Sequence, residues 1–295
     1  MANEKNKSQV PVAVVYVVTL LISLVIFGVL ALILGNKFVK TDVKDDSSEF
    51  TSASFTAADN VTTLYALTDA NNELDSAFIS KFVPSKGRII CVPLTAYLDV
   101  DGKTIKDIYS SGGIVAMSGK VERKLGIEID KYMTLSYKSF ESVFDIMSPA
   151  LFTLTEDVTF KDATSGESTS YDMGSKISVD GKTALALVTY REYSGKNATN
   201  PKISGELVAT IINTFFEQKA VAVGNVDNIF SKQYDQGDTN ITIDDYNSQK
   251  NAIVYMIENT RSPAYALTPT GTWSEETRFI IDEAYVEQLK IVFQD

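Results

Sequence analysis

A long uncharged stretch near the N-terminus sets the organisation of the whole chain. Residues 10–35 are apolar apart from Tyr16, Thr19 and Ser23. A helix of this length, rising about 1.5 Å per residue, spans a hydrocarbon core of ~30 Å, whereas the apolar core of a cleaved signal peptide covers only about 7–15 residues. The sequence therefore predicts a short tail at 1–9, a transmembrane anchor at 10–35, a polar linker at 36–54 and one large domain at 55–295.

Composition limits the chemistry that this domain can perform. The 295 residues carry a formal net charge of −11. Surfaces that bind nucleic acid are basic, so we expect no nucleic-acid partner. The absence of histidine from the sequence excludes Ser–His and Cys–His catalytic pairs and histidine-ligated zinc. Any metal would be a hard cation such as Mg²⁺ held by carboxylates. The single cysteine, Cys91, lies in an apolar run, and we interpret it as a buried thiol.

Segments typical of strands and of helices alternate from residue 61 onwards. The strand-like segments are rich in β-branched residues or alternate in polarity, and the helix-like segments repeat apolar residues at helical spacing. The predicted strands are 61–67, 77–83, 88–94, 132–137, a pair within 150–160, and 278–281; the predicted helices are 112–125, 140–147, 180–190, 203–220, 243–258 and 282–293, with a loop or hairpin at 161–178. This alternation predicts an α/β fold, specifically an α/β/α sandwich with a central mixed sheet.

The stretch 89–97 is the predicted active-site edge of this sheet. An apolar strand reaches Pro93 there, a polar turn follows, and a Gly-Gly pair at 112–113 opens a helical pattern. In many α/β enzymes the carboxyl end of a strand is where the chemistry takes place. Asp99 and Asp101 in the turn resemble a metal-binding pair, but an Asp-Gly sequence is more typical of a tight turn.

Several segments occur in the order shown by a known family. They are the N-terminal span, the strand ending in Val-Pro, the segment 125–140 with its Gly-Ile-Glu-Ile-Asp-Lys-Tyr sequence, the segment 179–186, and Thr-Asn-Ile-Thr at 239–242. This order resembles the LytR-CpsA-Psr family of bacterial cell-envelope proteins, and the resemblance covers residues 55–295. It implies phosphotransferases that move a glycopolymer from a polyprenyl pyrophosphate carrier onto peptidoglycan.

The resemblance also implies where the protein lies. Family members have one N-terminal span, the N-terminus inside, and the domain outside the cytoplasmic membrane. Lysines flank the predicted span on both sides, at Lys5 and Lys7 before it and at Lys37 and Lys40 after it, so the lysine distribution does not fix the orientation. The expected orientation therefore rests on the resemblance.

In the family, arginines hold the pyrophosphate, carboxylates hold Mg²⁺, and the lipid tail lies in an apolar pocket between sheet and helices. Asn60 stands where the family has an aspartate, and Asp59, one residue earlier, is the candidate metal ligand. Leu94 and Thr95 stand where the family has an Arg-Asp pair after the proline. Asn60, Leu94 and Thr95 are therefore ligand-binding candidates by resemblance, although they lack the family's charges. Asp59 is one residue out of the family's register.

The remaining candidates follow the later motifs. Thr189 and Arg191 stand at two family arginines, so Arg191 is the candidate catalytic and pyrophosphate-binding residue. Lys202 lies in the segment where the family has an arginine cluster, but a lysine lacks the bidentate fork of arginine. Losing one preorganised charge-stabilising group typically costs ~10²–10³-fold in rate. Three or four altered positions therefore predict transfer activity that is weak or lost.

Each candidate has a structural alternative that the sequence leaves open. Arg191 is also typical of a surface residue at a helix end, Asp59 of a solvated linker carboxylate, and Lys202 of an exposed helix residue. A set of apolar residues at helical spacing either lines the lipid pocket or packs as core: Phe140, Phe144, Ile211, Ile212, Phe215 and Phe216.

The sequence is compatible with three functions. The first is a divergent but active glycopolymer transferase that depends on Mg²⁺. The second is a non-catalytic relative that binds polyprenyl-phosphate lipids or envelope polymer and acts as a scaffold or regulator of an active enzyme. The third is a membrane-anchored extracellular α/β domain with an unrelated function.

Overall fold

The computed structural model describes residues 55–161, 168–191, 200–234, 237–274 and 278–294. The predicted tail, anchor and linker at 1–54 lie outside the described residues. Within the described ranges, none of the helices combines the length and the apolar character needed to cross a membrane.

Strands and helices alternate along the described residues. The strands are β1 Val61–Thr68, β2 Leu74–Val83, β3 Arg88–Thr95, β4 Asp99–Val100, β5 Lys103–Thr104, β6 Lys131–Ser136, β7 Ala150–Thr153, β8 Val158–Lys161, β9 Ser168–Tyr171, β10 Lys176–Val179, β11 Ala264–Ala266, β12 Gly271–Ser274 and β13 Arg278–Ile281. The helices are α1 Ile105–Leu125, α2 Tyr137–Met147, α3 Gly181–Thr189, α4 Pro201–Glu217, α5 Lys219–Tyr234, α6 Ile243–Asn259 and α7 Glu283–Gln294, with short 3₁₀ turns at Ala57–Asp59 and Pro84–Lys86.

Five strands form the central sheet in the order β11-β3-β2-β1-β6. The outer pairs, β11 with β3 and β1 with β6, are parallel, and β2 runs antiparallel to both β1 and β3. The prediction of a central mixed sheet is therefore confirmed.

Helices cover both faces of this sheet because its strands alternate between two apolar cores. On β1, Leu64 and Ala66 belong to one core, with residues of α1 and α7, whereas Leu67 belongs to the other, with residues of α2 to α6. Side chains of a strand point alternately to opposite faces, so one strand contributes to both layers. The α/β/α sandwich predicted from the sequence is the observed architecture.

Pro93 limits the parallel pairing at the edge of the sheet. The Leu267 amide donates to the Cys91 carbonyl at 2.8 Å. The next bond of a parallel ladder would need an N–H at Pro93, which proline lacks. The Leu267 carbonyl instead accepts a hydrogen bond from the Tyr285 hydroxyl at 2.7 Å. β11 therefore ends here, while β3 continues through Pro93 because β2 still pairs with it.

Helix α1 begins earlier than the Gly-Gly pair predicts. Thr104 and Asp107 form a capping box, in which the Thr104 hydroxyl accepts from the Asp107 amide at 3.1 Å and the Asp107 carboxylate accepts from the Thr104 amide at 3.1 Å. Gly113 then interrupts the helix with φ 65° and ψ −169°. The prediction of a start at residue 112 is wrong because the glycines mark a kink, while the capping box marks the start.

Two further segments differ from the prediction. Helix α5 was not predicted; α4 and α5 are separated only by Gln218, which ends the first helix. The two strands expected within 150–160 exist but do not pair with each other, because β7 pairs with β10 and β8 with β9. The predicted tight turn is confirmed: Asp101 and Gly102 have φ 55° and 81° in the hairpin of β4 and β5.

Candidate functional site

A β-bulge at the start of β2 displaces one acidic side chain from the regular alternation. Leu67 pairs with Ser76 and Thr68 with Leu74, so Asp75 is the extra residue between two ladder pairs. Bulges re-aim a side chain and are frequent next to active sites. Asp75 is 4% exposed, and a buried carboxylate requires partners.

Two side chains from other elements bind Asp75. The hydroxyl of Tyr137, the first residue of α2, donates to Oδ2, and the guanidinium of Arg191, two residues beyond α3, forms an ion pair with Oδ1. Helix α2 begins at Tyr137 because Ser136 caps it, its hydroxyl accepting from the Ser139 amide at 3.1 Å. We call Asp75, Tyr137 and Arg191 the edge cluster.

The electrostatics of the edge cluster favour a charged Arg191 and a neutral Tyr137. Partial burial is the largest single effect on the pKa of Arg191 and lowers it, but the charge of Asp75 and the hydrogen bond to Asp75, with smaller contributions from Tyr97 and Tyr137, together outweigh burial, so the pKa of Arg191 is raised. Burial raises the pKa of Tyr137 far above its usual value, and the hydrogen bond to Asp75 is the second-largest cause of this rise. The Arg191 side chain is 39% exposed, so a guanidinium already paired inside the protein remains accessible from solvent.

Thr95 lies close to this edge, but Leu94 faces the other layer. Thr95 pairs with Ser76 across the sheet, is 1% exposed, and its hydroxyl accepts from the Tyr97 amide at 3.3 Å. Leu94 is 2% exposed in the core that contains α1 and α7. Helix α3, which precedes Arg191, packs in the opposite core. The structure therefore does not bring the Leu94 side chain to Arg191.

Thr189 and Lys202 have other contacts. The Thr189 hydroxyl donates to the Leu185 carbonyl at 2.8 Å, inside α3. Lys202 is exposed in the first turn of α4, where its amide donates to the Asn200 side chain at 3.0 Å. No hydrogen bond or ion pair within the described residues joins either side chain to Arg191.

Asp59 and Asn60 lie at the far end of β1 from the edge cluster. They precede Val61, while the bulge follows Leu67, and a strand rises about 3.3 Å per residue, which gives a separation of roughly 20 Å along the strand. The Asp59 carboxylate accepts from the Thr56 amide at 2.7 Å as part of a capping box. Neither residue contributes to the edge where Arg191 lies.

The described residues do not fit a magnesium site formed by the protein alone. They contain no group of three or more Asp, Glu, Cys or His side chains suited to hold a metal ion. Both oxygens of Asp75 have partners in the edge cluster. One oxygen of Asp69 accepts from the Asn71 and Glu73 amides at 2.9 and 2.8 Å.

A cavity of about 370 Å³ lies between the sheet and helices α2, α4, α5 and α6. This volume is at the lower end of the range for ligand pockets, roughly 300–1,000 Å³. Five members of the apolar set that the sequence singled out line it: Phe140, Phe144, Ile212, Phe215 and Phe216. The sixth, Ile211, is fully buried in the core. The set therefore packs as core and also lines a cavity.

The two ends of the cavity differ in chemistry. Leu67 and Phe78 line the end nearest the edge cluster, but Asp75, Thr95 and Arg191 are not among the described lining residues. Towards the start of β1 and β6 the lining includes Lys131, Asp245 and Gln249.

Cys91 and Tyr65 also line the cavity. Burial raises the pKa of each side chain to about 12. In Tyr65 a hydrogen bond with Thr63 lowers the pKa, but the effect of burial is larger. A thiol with so high a pKa is almost entirely protonated at neutral pH and is a poor nucleophile. The interpretation of Cys91 as a buried thiol is confirmed.

The ion pair between Lys131 and Asp245 predicts a weak acid dependence of stability. The two side chains are 2.7 Å apart, and hydrogen bonds from Lys131 and then Thr242 lower the pKa of Asp245 to about 2. Because the unfolded value is higher, about 4, the stabilisation is present above about pH 4 and is lost as the pH falls towards 2. On acidification, we expect the free energy of unfolding to fall by ~0.5–1 kcal/mol less in Asp245→Asn than in the wild-type chain. The effect is small because the pair is partly exposed.

Urea denaturation at pH 5 and at pH 2.5 checks this prediction. The control is Asp244→Asn, because Asp244 is exposed in the same first turn of α6. If Asp245→Asn lost as much free energy of unfolding between pH 5 and pH 2.5 as the wild-type chain, the pair would have no stabilising role.

Comparison with known proteins identifies the fold. The sequence model of the LytR_cpsA_psr family matches residues 74–290, from the start of β2 into α7. The chain belongs to the LytR-CpsA-Psr family. The resemblance noted in the sequence is thereby confirmed. No curated protein matches the chain in sequence.

Solved structures share the fold of this LytR-CpsA-Psr domain. A protein from Eubacterium siraeum, solved as a transcription regulator, is 20% identical with a TM-score of 0.72, covering 82% of this chain and 93% of that one. TagV of B. subtilis is 18% identical with a TM-score of 0.59, covering 80% and 96%. TagT bound to LI-WTA is 16% identical with a TM-score of 0.58, covering 80% and 89%. At these identities the likeness shows the fold alone.

Sequence reasoning missed two members of the edge cluster in this LytR-CpsA-Psr chain. Arg191 was selected, but its partners Asp75 and Tyr137 were not. An acidic residue two positions ahead of the predicted strand 77–83 was the available signal for Asp75, and the family match begins one residue before Asp75. For Tyr137 the sequence carries no comparable signal, because a tyrosine at a helix start is ordinary.

Proposed function

We propose that this protein acts in bacterial cell-envelope biogenesis, anchored in the cytoplasmic membrane by a single span with its N-terminus inside. Its extracytoplasmic domain binds a polyprenyl-phosphate lipid or a lipid-linked glycopolymer. Its ability to transfer that polymer to peptidoglycan is weak or lost. Family membership supports the general role, and the likeness to TagT, solved with LI-WTA, supports a ligand of this kind. The net charge of −11 argues against a nucleic-acid partner.

The observation that carries this proposal is that Arg191 and one end of the cavity lie at the same end of the central sheet. Its accessible guanidinium lies at the same edge of the sheet as Leu67 and Phe78, which line that end of the cavity. A guanidinium binds phosphate through two parallel hydrogen bonds. An apolar chain in the cavity would place its phosphate at this edge.

Among the described residues, the edge cluster contributes one positive charge, that of Arg191, and this supports weak or lost transfer. Phosphoryl transfer needs several preorganised charges around the transferred group. Leu94 lies in the other layer, Thr95 has a neutral hydroxyl, and the Thr189 hydroxyl donates within its own helix. Arg191 is moreover shared with Asp75, an internal anion that competes with phosphate.

A second candidate is a non-catalytic scaffold or regulator of an active envelope enzyme. The edge cluster favours it, because Asp75, Tyr137 and Arg191 satisfy one another without a ligand. A site used only for binding needs no further charges. Both candidate functions require binding of the lipid, and they differ in whether the polymer is transferred to peptidoglycan.

Lipid binding tests the proposal in the full chain reconstituted in nanodiscs, with decaprenyl phosphate as the probe. We expect Arg191→Ala to weaken binding about tenfold or more, since a hydrogen bond to a charged group contributes ~1.5–3 kcal/mol. The matched control is Arg278→Ala, because Arg278 has a similar exposure of 40% and pairs with Asp99 in another part of the domain. Equal binding by the wild-type chain and Arg191→Ala would refute the assigned role of Arg191.

A transfer assay separates the two candidates. The reconstituted chain is given a lipid-linked glycopolymer, peptidoglycan and Mg²⁺. Slow transfer that Arg191→Ala abolishes supports a weak transferase. Binding without any transfer supports the scaffold.

A further inference from the structure

The cavity has a polar end that the edge cluster does not explain. Thr63 in β1 pairs with Ser80 in β2 and with Lys131 in β6, so these three residues form one row across the sheet, and all three line the cavity. Asp245 and Gln249 of α6 also line it. This row lies at the end where β1 and β6 begin, and Leu67 and Phe78 lie at the other end.

Two buried polar atoms at this end lack a hydrogen-bond partner among the described residues. The side-chain carbonyl of Gln249 is buried and accepts no hydrogen bond from any described residue. The side-chain carbonyl of Asn60, next to the lining residue Val61, is in the same state. A buried acceptor without a donor costs ~1–3 kcal/mol. A ligand that donates a hydrogen bond to Gln249 would recover this energy.

The charges at this end favour an uncharged ligand group. Lys131 and Asp245 are 2.7 Å apart and neutralise each other, and the Asp245 carboxylate also accepts from the Thr242 amide and hydroxyl at 2.8 Å. Because Asp245 already balances the charge of Lys131, an anionic group would gain less at Lys131 than at an unpaired lysine. A hydroxyl or amide donor leaves the ion pair intact.

The volume sets the length of chain that the cavity itself can hold. At about 30 Å³ for each water-sized group, the 370 Å³ cavity holds roughly a dozen such groups. That corresponds to one chain of roughly twelve carbons. Aromatic and aliphatic side chains, among them Phe144, Phe215 and Ile253, surround this space.

We propose that this end of the cavity, formed by Thr63, Ser80, Lys131, Asp245 and Gln249, binds the head group of an uncharged single-chain amphiphile whose hydroxyl or amide donates to Gln249. The chain lies in the apolar part and points towards Leu67 and Phe78. This proposal depends on the cavity, but it does not depend on whether the protein transfers a polymer. Because the chain would fill the space assigned above to the polyprenyl chain, the two ligands exclude each other.

The test uses the full chain in nanodiscs and dodecan-1-ol with a photoreactive diazirine next to the hydroxyl. Mass spectrometry of the photolabelled peptides locates the head group, and empty nanodiscs correct for partitioning. We expect labels in α6 and at the start of β6. We also expect unlabelled dodecan-1-ol to compete at lower concentrations than dodecyl phosphate does.

Two variants make the test specific. We expect Gln249→Leu to reduce labelling about fivefold, the equivalent of one neutral hydrogen bond of ~1 kcal/mol. Gln288→Leu, on the exposed face of α7 in the other layer, should change nothing. Labels concentrated around Asp75 and Arg191, stronger competition by dodecyl phosphate, or full labelling of Gln249→Leu would each overturn the proposal. Loss of decaprenyl phosphate binding with labelling intact would refute only the proposed function.

Discussion

Leu94→Arg is expected to lower the free energy of unfolding by about 4 kcal/mol or more. Truncating a buried leucine alone costs ~2–5 kcal/mol, and the desolvation of a charge adds several kcal/mol. Leu94 is 2% exposed and packs among apolar residues of the layer formed with α1 and α7. The substitution introduces the arginine that the resemblance leads one to expect after Pro93, but the side chain would enter a closed core.

Urea denaturation of Leu94→Arg measures this effect, and Leu151→Arg is the matched control. Leu151 is 70% exposed in β7, so the same chemical change there should alter stability by less than ~0.5 kcal/mol. A stably folded Leu94→Arg that gains affinity for decaprenyl phosphate would show that this part of β3 can turn towards Arg191, and would contradict the placement of Leu94.

Gly181→Ala is expected to destabilise the protein by ~3 kcal/mol, at the upper end of the usual cost of overpacking. A Cβ at Gly181 would lie 2.1 Å from the Glu141 carbonyl oxygen and 2.7 Å from Asp145 Oδ1. The Glu141 oxygen belongs to the backbone of α2 and cannot move without the helix. The Gly181 amide also donates to Asp145 Oδ1 at 2.8 Å, and this contact would be lost as α3 moves away.

The same substitution should affect ligand binding, because α3 leads to Arg191. We expect weaker decaprenyl phosphate binding even where the variant remains folded. Gly224→Ala is the control: it lies within α5 with open space around it, so alanine should stabilise the helix by ~0.5–1 kcal/mol. Similar stability of the two variants would contradict close packing between α2 and α3.

The periodicity of the sequence was sufficient to predict the layers of the fold. Strand 61–67 alternates between two apolar faces, and amphipathic helices follow, which requires helices on both sides of one sheet. Helix boundaries were less predictable. The start of α1 depends on a capping box at Thr104, and α5 has too few buried positions to stand out, Ala222 and Val226 being its fully buried residues.

The candidate site shows the limit of residue-by-residue comparison. The structure places Arg191 in an ion pair with Asp75, and its catalytic and phosphate-binding roles stay predictions. Asn60, the candidate at the position of a family aspartate, lies at the end of β1 opposite to Asp75, so the motif order selected residues at both ends of one strand. Motif order does not reveal which end of a strand carries a side chain.

Local signals determined the class of fold, the family and the apolar set that lines the cavity, because hydrophobic periodicity and motif order are properties of short segments. The tertiary structure decided which charges meet. Asp75 reaches Tyr137 and Arg191 only because a bulge turns it, and the three residues lie far apart in sequence. It also decided that the polar end of the cavity lies away from Arg191, since α6 carries Gln249 to the start of β1. Such contacts depend on how distant elements pack, which no local pattern encodes.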